Sequence, residues 1–252
     1  MTGRVAIVTG AGRGIGRATA LALAARGARV LGVSRTESEL AAVAREGGIE
    51  ILPESVATLE GCERIVAEAR GRLGPVEILV ANAGIGSAFE RPVWEQDPAA
   101  WRETMAVNLD APFHLIRLAV PDMIERGFGR IVVVSSTAGQ VGAPAMSAYS
   151  ASKAGVLGLV RAVAQDVAPH GITCNAVLPG WVRTAMAERS AERAAARRGL
   201  TVEEVWAERA AEYPGGRVVE AEEVAETIAF LASEEASGVS AESVTVALGG
   251  FW

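Results

Sequence analysis

Three side chains in one stretch have the types and spacing for proton chemistry. Ser136, Tyr149 and Lys153 fall in STAGQVGAPAMSAYSASK. Tyr149 and Lys153 stand four apart, so a helix puts them on one face, one turn apart. Lys153 is the only lysine in the chain, and Tyr149 is one of two tyrosines. A phenol ionises near pH ~10. A fixed ammonium a few ångströms away favours the phenolate and draws that value toward neutrality, where a general acid/base works best. Ser136 adds a hydroxyl that can donate to a substrate oxygen. The spacing alone also fits a surface helix, so the elements around it must decide.

Arg4–Thr9 reads RVAIVT, a β-branched run. It is followed by the glycine turn Gly10 to Gly16 and then by RATALALAARG, an alanine- and leucine-rich helix. Strand, glycine turn, helix is the context of a phosphate-binding loop. Gly10, Gly14 and Gly16 let the backbone approach a pyrophosphate, with Ile15 among them as a further cofactor-binding position, and the helix N-terminus offers unpaired N–H groups. The second strand runs from Arg29 to Val33 and ends in Ser34-Arg35-Thr36. An acid at that end binds an adenosine ribose 2′-OH, whereas an arginine favours a 2′-phosphate. With Arg35 there and Arg13 in the glycine turn, the expected cofactor is NADP(H). NAD(H) is the alternative, with Glu37 as the acid if the strand ends later.

Strands continue to alternate with helices, which means βαβ units, a parallel sheet and a single domain over 1–252. Pro98 to Gly127 reads as one long helix, kinked or divided at Pro112 and Pro121, with Asn108 in its middle. GRIVVVS is a strand that delivers Ser136 at its carboxyl end, where ligands of open parallel sheets bind. From about 184 to 214 the chain is polar and helical, an insertion expected to act as a lid. Phe251-Trp252 is expected at a subunit contact.

Half of the residues are hydrophobic, enough for a sizeable core, and a formal charge of −6 argues against nucleic acid or an anionic membrane as partner. Cys62 and Cys174 stand far apart, without metal-like spacing, and read as small buried hydrophobes. His114 and His170 are unclustered, so no metal is expected. With no leader at Met1 and no long apolar run, the expectation is a soluble, cytoplasmic protein.

Taken together, Thr9-Gly10, Gly14-Ile15-Gly16, Asn82-Ala83-Gly84, Asn108, Ser136, Tyr149 with Lys153, and Pro179-Gly180 resemble the short-chain dehydrogenase/reductases along the whole chain. The resemblance implies an α/β Rossmann-like fold, a doubly wound parallel sheet of about seven strands with helices on both faces. It implies a homotetramer or homodimer. It makes Tyr149 the general acid of reduction and base of oxidation. Lys153 then binds the nicotinamide ribose and lowers the tyrosine pKa, Ser136 polarises the substrate, and Asn108 holds the water of a proton relay. Asn82 braces the sheet beside the adenosine half, and Val182 and Thr184 face the nicotinamide carboxamide. Ser55, beside Val56, stands where the family usually has an acid near the adenine. Ala81 replaces the first Asn of the usual Asn-Asn-Ala-Gly, and no Asp precedes Gly249-Gly250.

The substrate is less legible. RGLTVEEVW resembles part of the lid of 3-hydroxybutyrate dehydrogenases, but Gly86, Ala138 and Met146 stand where those enzymes hold a carboxylate. A small carboxylate buried there would lack partners. Val141, Met146, Trp181, Met186 and Trp206 make the pocket apolar, which favours a ketone or 3-oxoacyl-type substrate with a hydrophobic body. The alternatives are an NAD-dependent dehydrogenase of a small hydroxy acid or alcohol and, more remotely, a non-catalytic dinucleotide-binding sensor.

Overall fold

VAIVT, ILVA and GRIVVV are buried from end to end because both faces of their sheet are covered. In the computed structural model, which describes residues 1–86 and 91–250, they are β1 (Val5–Thr9), β4 (Ile78–Ala81) and β5 (Gly129–Val134). The sheet also contains β2 (Arg29–Ser34), β3 (Glu50–Pro53), β6 (Ile172–Pro179) and β7 (Ser243–Val246). All pairings are parallel and the order is β3-β2-β1-β4-β5-β6-β7. The order reverses between β1 and β4, so a crevice opens at the carboxyl ends of those two strands.

Side chains alternate across β1. Ile7 joins one apolar layer, while Ala6 and Val8 join the other. The first layer is closed by α3 (Leu59–Arg72), α5 (Ala111–Arg126) and α6 (Ser147–Val167), through Ile65, Leu115, Met123 and Val160. The second is closed by α1 (Gly14–Ala25), α2 (Glu37–Gly47) and α9 (Ala221–Leu231), through Leu23, Leu40 and Ile228. Each such side chain contributes ~1.5–3 kcal/mol by leaving water. Cys62 and Cys174 are free, buried members of the first layer. Phe251 and Trp252 lie outside the described residues.

The long helix expected over 98–127 breaks where the prolines do not. α4 (Pro98–Met105) passes through a five-residue π turn, Ala106–Asp110, into α5. Pro112 sits in the first turn of α5, where its missing N–H is harmless. Pro121 lies on the exposed face and α5 runs through it, since water can serve the carbonyl it leaves unpaired. The π turn centres on Asn108, which is buried.

The stretch expected as helical insertion is α7 (Ala185–Arg198) and α8 (Val202–Ala211), joined through Gly199 at φ +69°. Thr201 and Glu204 close a capping box at the start of α8. These two helices carry a small apolar cluster of their own with Trp206 and Tyr213. Among the described residues no helix is long and apolar enough to cross a membrane.

Candidate active site

β5 ends at Val134 and hands the chain to two serines with different tasks. The Ser135 hydroxyl donates to the Lys153 carbonyl at 2.8 Å, tying β5 to α6. Ser136 faces the cleft, and its Oγ accepts from the Ala138 N–H at 3.1 Å. The short turn after it presses on α6 at Gly139, where a Cβ would stand 2.7 Å from the Lys153 carbonyl carbon. α6 thus brings Tyr149 and Lys153 beside Ser136, as the i, i+4 spacing predicts.

Burial sets the electrostatics. Lys153 is 4% exposed. Desolvation pulls its amino group down to about 8. Its Nζ donates to the Val134 carbonyl at 2.8 Å and lies 5.8 Å from the centroid of the Tyr149 ring. The Tyr149 phenol is pushed above its ordinary value by burial, against a smaller lowering from its hydrogen bond with Ser136. This corrects the expectation that Lys153 draws the phenol toward neutrality. The ammonium is turned toward a carbonyl, and desolvation of the phenolate wins.

Asn108 does not line the cleft wall. It lies just behind it, near Gly84 and Lys153: a Cβ on Gly84 would stand 3.4 Å from Asn108 Oδ1 and 3.5 Å from Lys153 Nζ. Asn108 Oδ1 accepts from Ile85 N–H at 2.9 Å, and Nδ2 donates to the Ile85 carbonyl at 3.0 Å and to Ser152 Oγ at 3.1 Å. Both amide protons are therefore committed, which leaves the backbone of the π turn for any further partner.

The remaining predicted positions gather along one cleft of about 790 Å³. At the turn after β1, Gly10 and Gly14 take φ +69° and +55°. A Cβ on Gly16 would stand 2.2 Å from the Gly10 carbonyl oxygen. α1 begins there with no acidic residue in its first turn, so its N–H groups and dipole face the cleft unopposed. After β4, Asn82 Nδ2 donates to the Thr9 carbonyl at 2.8 Å, and Thr9 Oγ1 accepts from the N–H groups of Asn82 and Ala83. Asn82 therefore braces the two strand ends.

Ser34, Arg35, Ser55 and Val56 line the far end, and Pro179, Gly180, Val182 and Thr184 the end beside α6. Thr184 Oγ1 caps α7, accepting from Ala187 N–H at 3.3 Å, and its methyl group faces Gly14. Ser34 Oγ is buried with no hydrogen-bond partner. The glycine cradle, the bare helix terminus and this orphaned hydroxyl fit an NAD(P) dinucleotide.

Val141, Met146, Trp181 and Met186 line the same cleft. Trp206 does not belong to it. It is buried between α7 and α8, where its Nε1 donates to Glu188 at 3.0 Å. Glu103, Arg189, Ser190, Arg193 and Glu212 also line the cleft. Arg209 is buried with its guanidinium 3.8 Å from the Trp181 ring centroid, and Tyr213 accepts from the Trp181 N–H.

Two acids at the far end escaped the sequence reading. Arg13, expected to meet a 2′-phosphate, pairs with Glu39 at 3.0 Å. The acid facing the cleft from α2 is thus Glu39, and Glu37 does not line it. Glu54 stands beside Ser55 and accepts from its N–H at 2.7 Å. An acid in the first turn of a helix that starts at Glu37 was the available signal.

The short chain dehydrogenase family matches residues 4–195. The chain belongs to the short-chain dehydrogenases. It is 38% identical to an acetoacetyl-CoA reductase of Rhizobium meliloti (strain 1021), over 96% of each chain. It is 35% identical to the 3-oxoacyl (acyl-carrier-protein) reductase FabG of Escherichia coli (strain K12), over 97% of this chain and 96% of that one. A crystal structure of a variant of actinorhodin polyketide ketoreductase with NADPH superposes with a TM-score of 0.91 at 37% identity, covering 98% of both chains. This short-chain dehydrogenase is accordingly an oxidoreductase that interconverts C=O and CH–OH groups with a nicotinamide cofactor.

Proposed function

We propose that this short-chain dehydrogenase uses NADPH to reduce the ketone of a 3-oxoacyl-type substrate with a hydrophobic body. The observation that carries the reading is the meeting of Ser136, Tyr149 and Lys153 beside the wall of Val141, Met146, Trp181 and Met186. The named activities of its relatives favour the same class. The nicotinamide supplies the hydride. The protein manages the charge that develops on the ketone oxygen. Ser136 donates to that oxygen, and Tyr149 donates to it and delivers its proton. Lys153, held by Val134, orients the nicotinamide ribose. Asn108 keeps the π turn open behind Lys153, where its backbone can hold a relay water.

In this reading Arg13 and Arg35 take the 2′-phosphate, Ser55 and Val56 flank the adenine, and Val182 and Thr184 meet the carboxamide. α7 and α8 serve as the lid. We read the protein as a cytoplasmic homotetramer or homodimer. The exposed Trp101 on α4 and Phe113 on α5 are the kind of apolar groups a second copy covers.

The test is to follow nicotinamide absorbance with acetoacetyl thioester and NADPH, then with 3-hydroxybutyrate and NAD. Turnover of the first pair and little of the second is expected. The reverse would refute the reading. Light scattering of the purified protein decides the assembly.

A further inference from the structure

Two cations and one acid meet at the far end of the cleft. Arg13 leads into α1, Arg35 follows β2, and Glu39 projects from the first turn of α2. All three line the cleft. Arg13 Nη1 is 3.0 Å from Glu39 Oε1. The second carboxylate oxygen and the Ser34 hydroxyl both pack over Gly12: a Cβ there would lie 3.0 Å from Glu39 Oε2 and 2.9 Å from Ser34 Oγ. The missing side chain of Gly12 is the space that these two groups share. Ser34 Oγ is buried and has no partner, so it is aimed at this space without a use in the fold.

We propose that Glu39 is a cofactor-discriminating residue, acting by competition with the adenosine 2′-phosphate for Arg13. The proposal rests on the reading of Arg13 and Arg35 as the 2′-phosphate site. A 2′-phosphate that pairs with Arg13 must displace Glu39, yet α2 keeps the carboxylate nearby, and like charges so placed repel. A 2′-hydroxyl makes no such demand, and it can donate to the same carboxylate. Glu39 therefore weakens NADPH selectively and narrows the preference that two arginines alone would give. The Glu37 carboxylate, in the same helical turn but off the cleft wall, has no such role.

The experiment is a fluorescence titration of full-length E39Q, E37Q, R13A and wild-type protein with NADPH and with NADH. E39Q keeps the shape and a hydrogen-bonding group for Arg13 while removing the charge. We expect it to tighten NADPH about tenfold (~1.4 kcal/mol), with NADH unchanged or weaker. E37Q should leave both constants unchanged, and the gain should vanish when E39Q is placed on an R13A background. An unchanged NADPH constant in E39Q overturns the proposal, as does an equal gain in E37Q. Loss of NADH binding alone overturns it too, and marks Glu39 as a ribose ligand. A wild-type preference for NADH refutes the NADPH reading by itself, while the E39Q shift still decides this one.

Discussion

Asn108 and Ile85 form a closed pair: the carboxamide oxygen accepts from the Ile85 N–H at 2.9 Å and the amide nitrogen donates to its carbonyl at 3.0 Å. The side chain thereby satisfies the backbone just after β4 as a neighbouring strand would. Its other proton reaches Ser152 on α6, so one buried side chain links the stretch after β4, the π turn and α6. Replacing Asn108 with Ala strands the Ile85 N–H and carbonyl. Ile85 lines the cleft and is only partly buried, so each lost bond costs ~0.5–1.5 kcal/mol. Urea unfolding should show N108A less stable by about 1–3 kcal/mol. Wild-type stability in N108A would contradict this.

Lys153 gives stability a pH dependence of its own. Its folded value of about 8 lies below the ordinary 10.5. Between those values the unfolded chain holds a proton that the folded lysine has shed, so stability rises with pH from about 8. The full effect is on the order of 3 kcal/mol. Cys62 and Cys174, raised by burial to about 11 and about 12 from 9.0, act in the opposite sense from about pH 8, because there the unfolded thiols begin to ionise first. The two effects overlap, so the lysine's share is read as the difference between wild type and K153M. Urea unfolding from pH 8 to 9 should show that difference climbing, while K153M alone falls. A parallel rise in both would locate the titration elsewhere.

Tyr149 is the group whose loss should separate chemistry from binding. Tyr149→Phe keeps the ring and removes the proton. Turnover should fall by ~10²–10⁴-fold, while NADPH titration stays near wild type. The protonation sign also follows. Burial raises the phenol, so the proton that reduction needs is present at neutral pH and is lost as pH rises through the phenol's value. Oxidation should show the mirror profile. Retained turnover in Y149F would remove Tyr149 from the mechanism.

What the sequence could and could not show follows from the range of the interactions involved. The grouping of Ser136, Tyr149 and Lys153 in one cleft was legible because it depends on a strand end and one helical turn. The parallel sheet was legible because strands buried on both faces read as apolar runs. The direction of the Tyr149 shift was not, since it turns on how much water α6 loses against β5. Glu39 was missed because its meaning depends on where α2 begins and how it is rotated against the glycine turn. Trp206 reads the same in a core as in a cavity, and only packing assigns it to the core between α7 and α8.

Gly16 carries a requirement that no other residue meets. Its Cβ would lie 2.2 Å from the Gly10 carbonyl oxygen and 2.4 Å from Asn82 Nδ2. Both neighbours are fixed, one as backbone and the other by its bond to the Thr9 carbonyl. Gly16→Ala should push α1 off the turn, lower the melting temperature by several degrees and weaken NADPH at least tenfold. Gly71 supplies the control, since a Cβ there meets nothing within 4 Å. Gly71→Ala in the last turn of α3 should be neutral or stabilising. Equal behaviour of the two variants would refute the cradle.

Arg209 couples the two helices after β6 to the loop that carries Trp181. Its guanidinium lies 3.8 Å from the Trp181 ring centroid and 4.9 Å from that of Trp206, and it donates to the Ala187 carbonyl and to Ser190 Oγ. Tyr213 holds the same loop from the other side, packing so closely that a Cβ on Gly180 would meet its hydroxyl at 2.3 Å. Arg209→Met keeps most of the apolar volume but loses the charge over both rings, a contact worth up to ~2 kcal/mol when desolvated, and the bonds to the Ala187 carbonyl and Ser190 Oγ. The apolar wall at Trp181 and Met186 then loses its fixed position, while the glycine turn and Lys153 do not. KM for the ketone should rise severalfold, with the NADPH dissociation constant unchanged and kcat within about threefold of wild type. A fall in kcat at constant KM would mean that Arg209 supports the proton-transfer groups instead of the substrate wall.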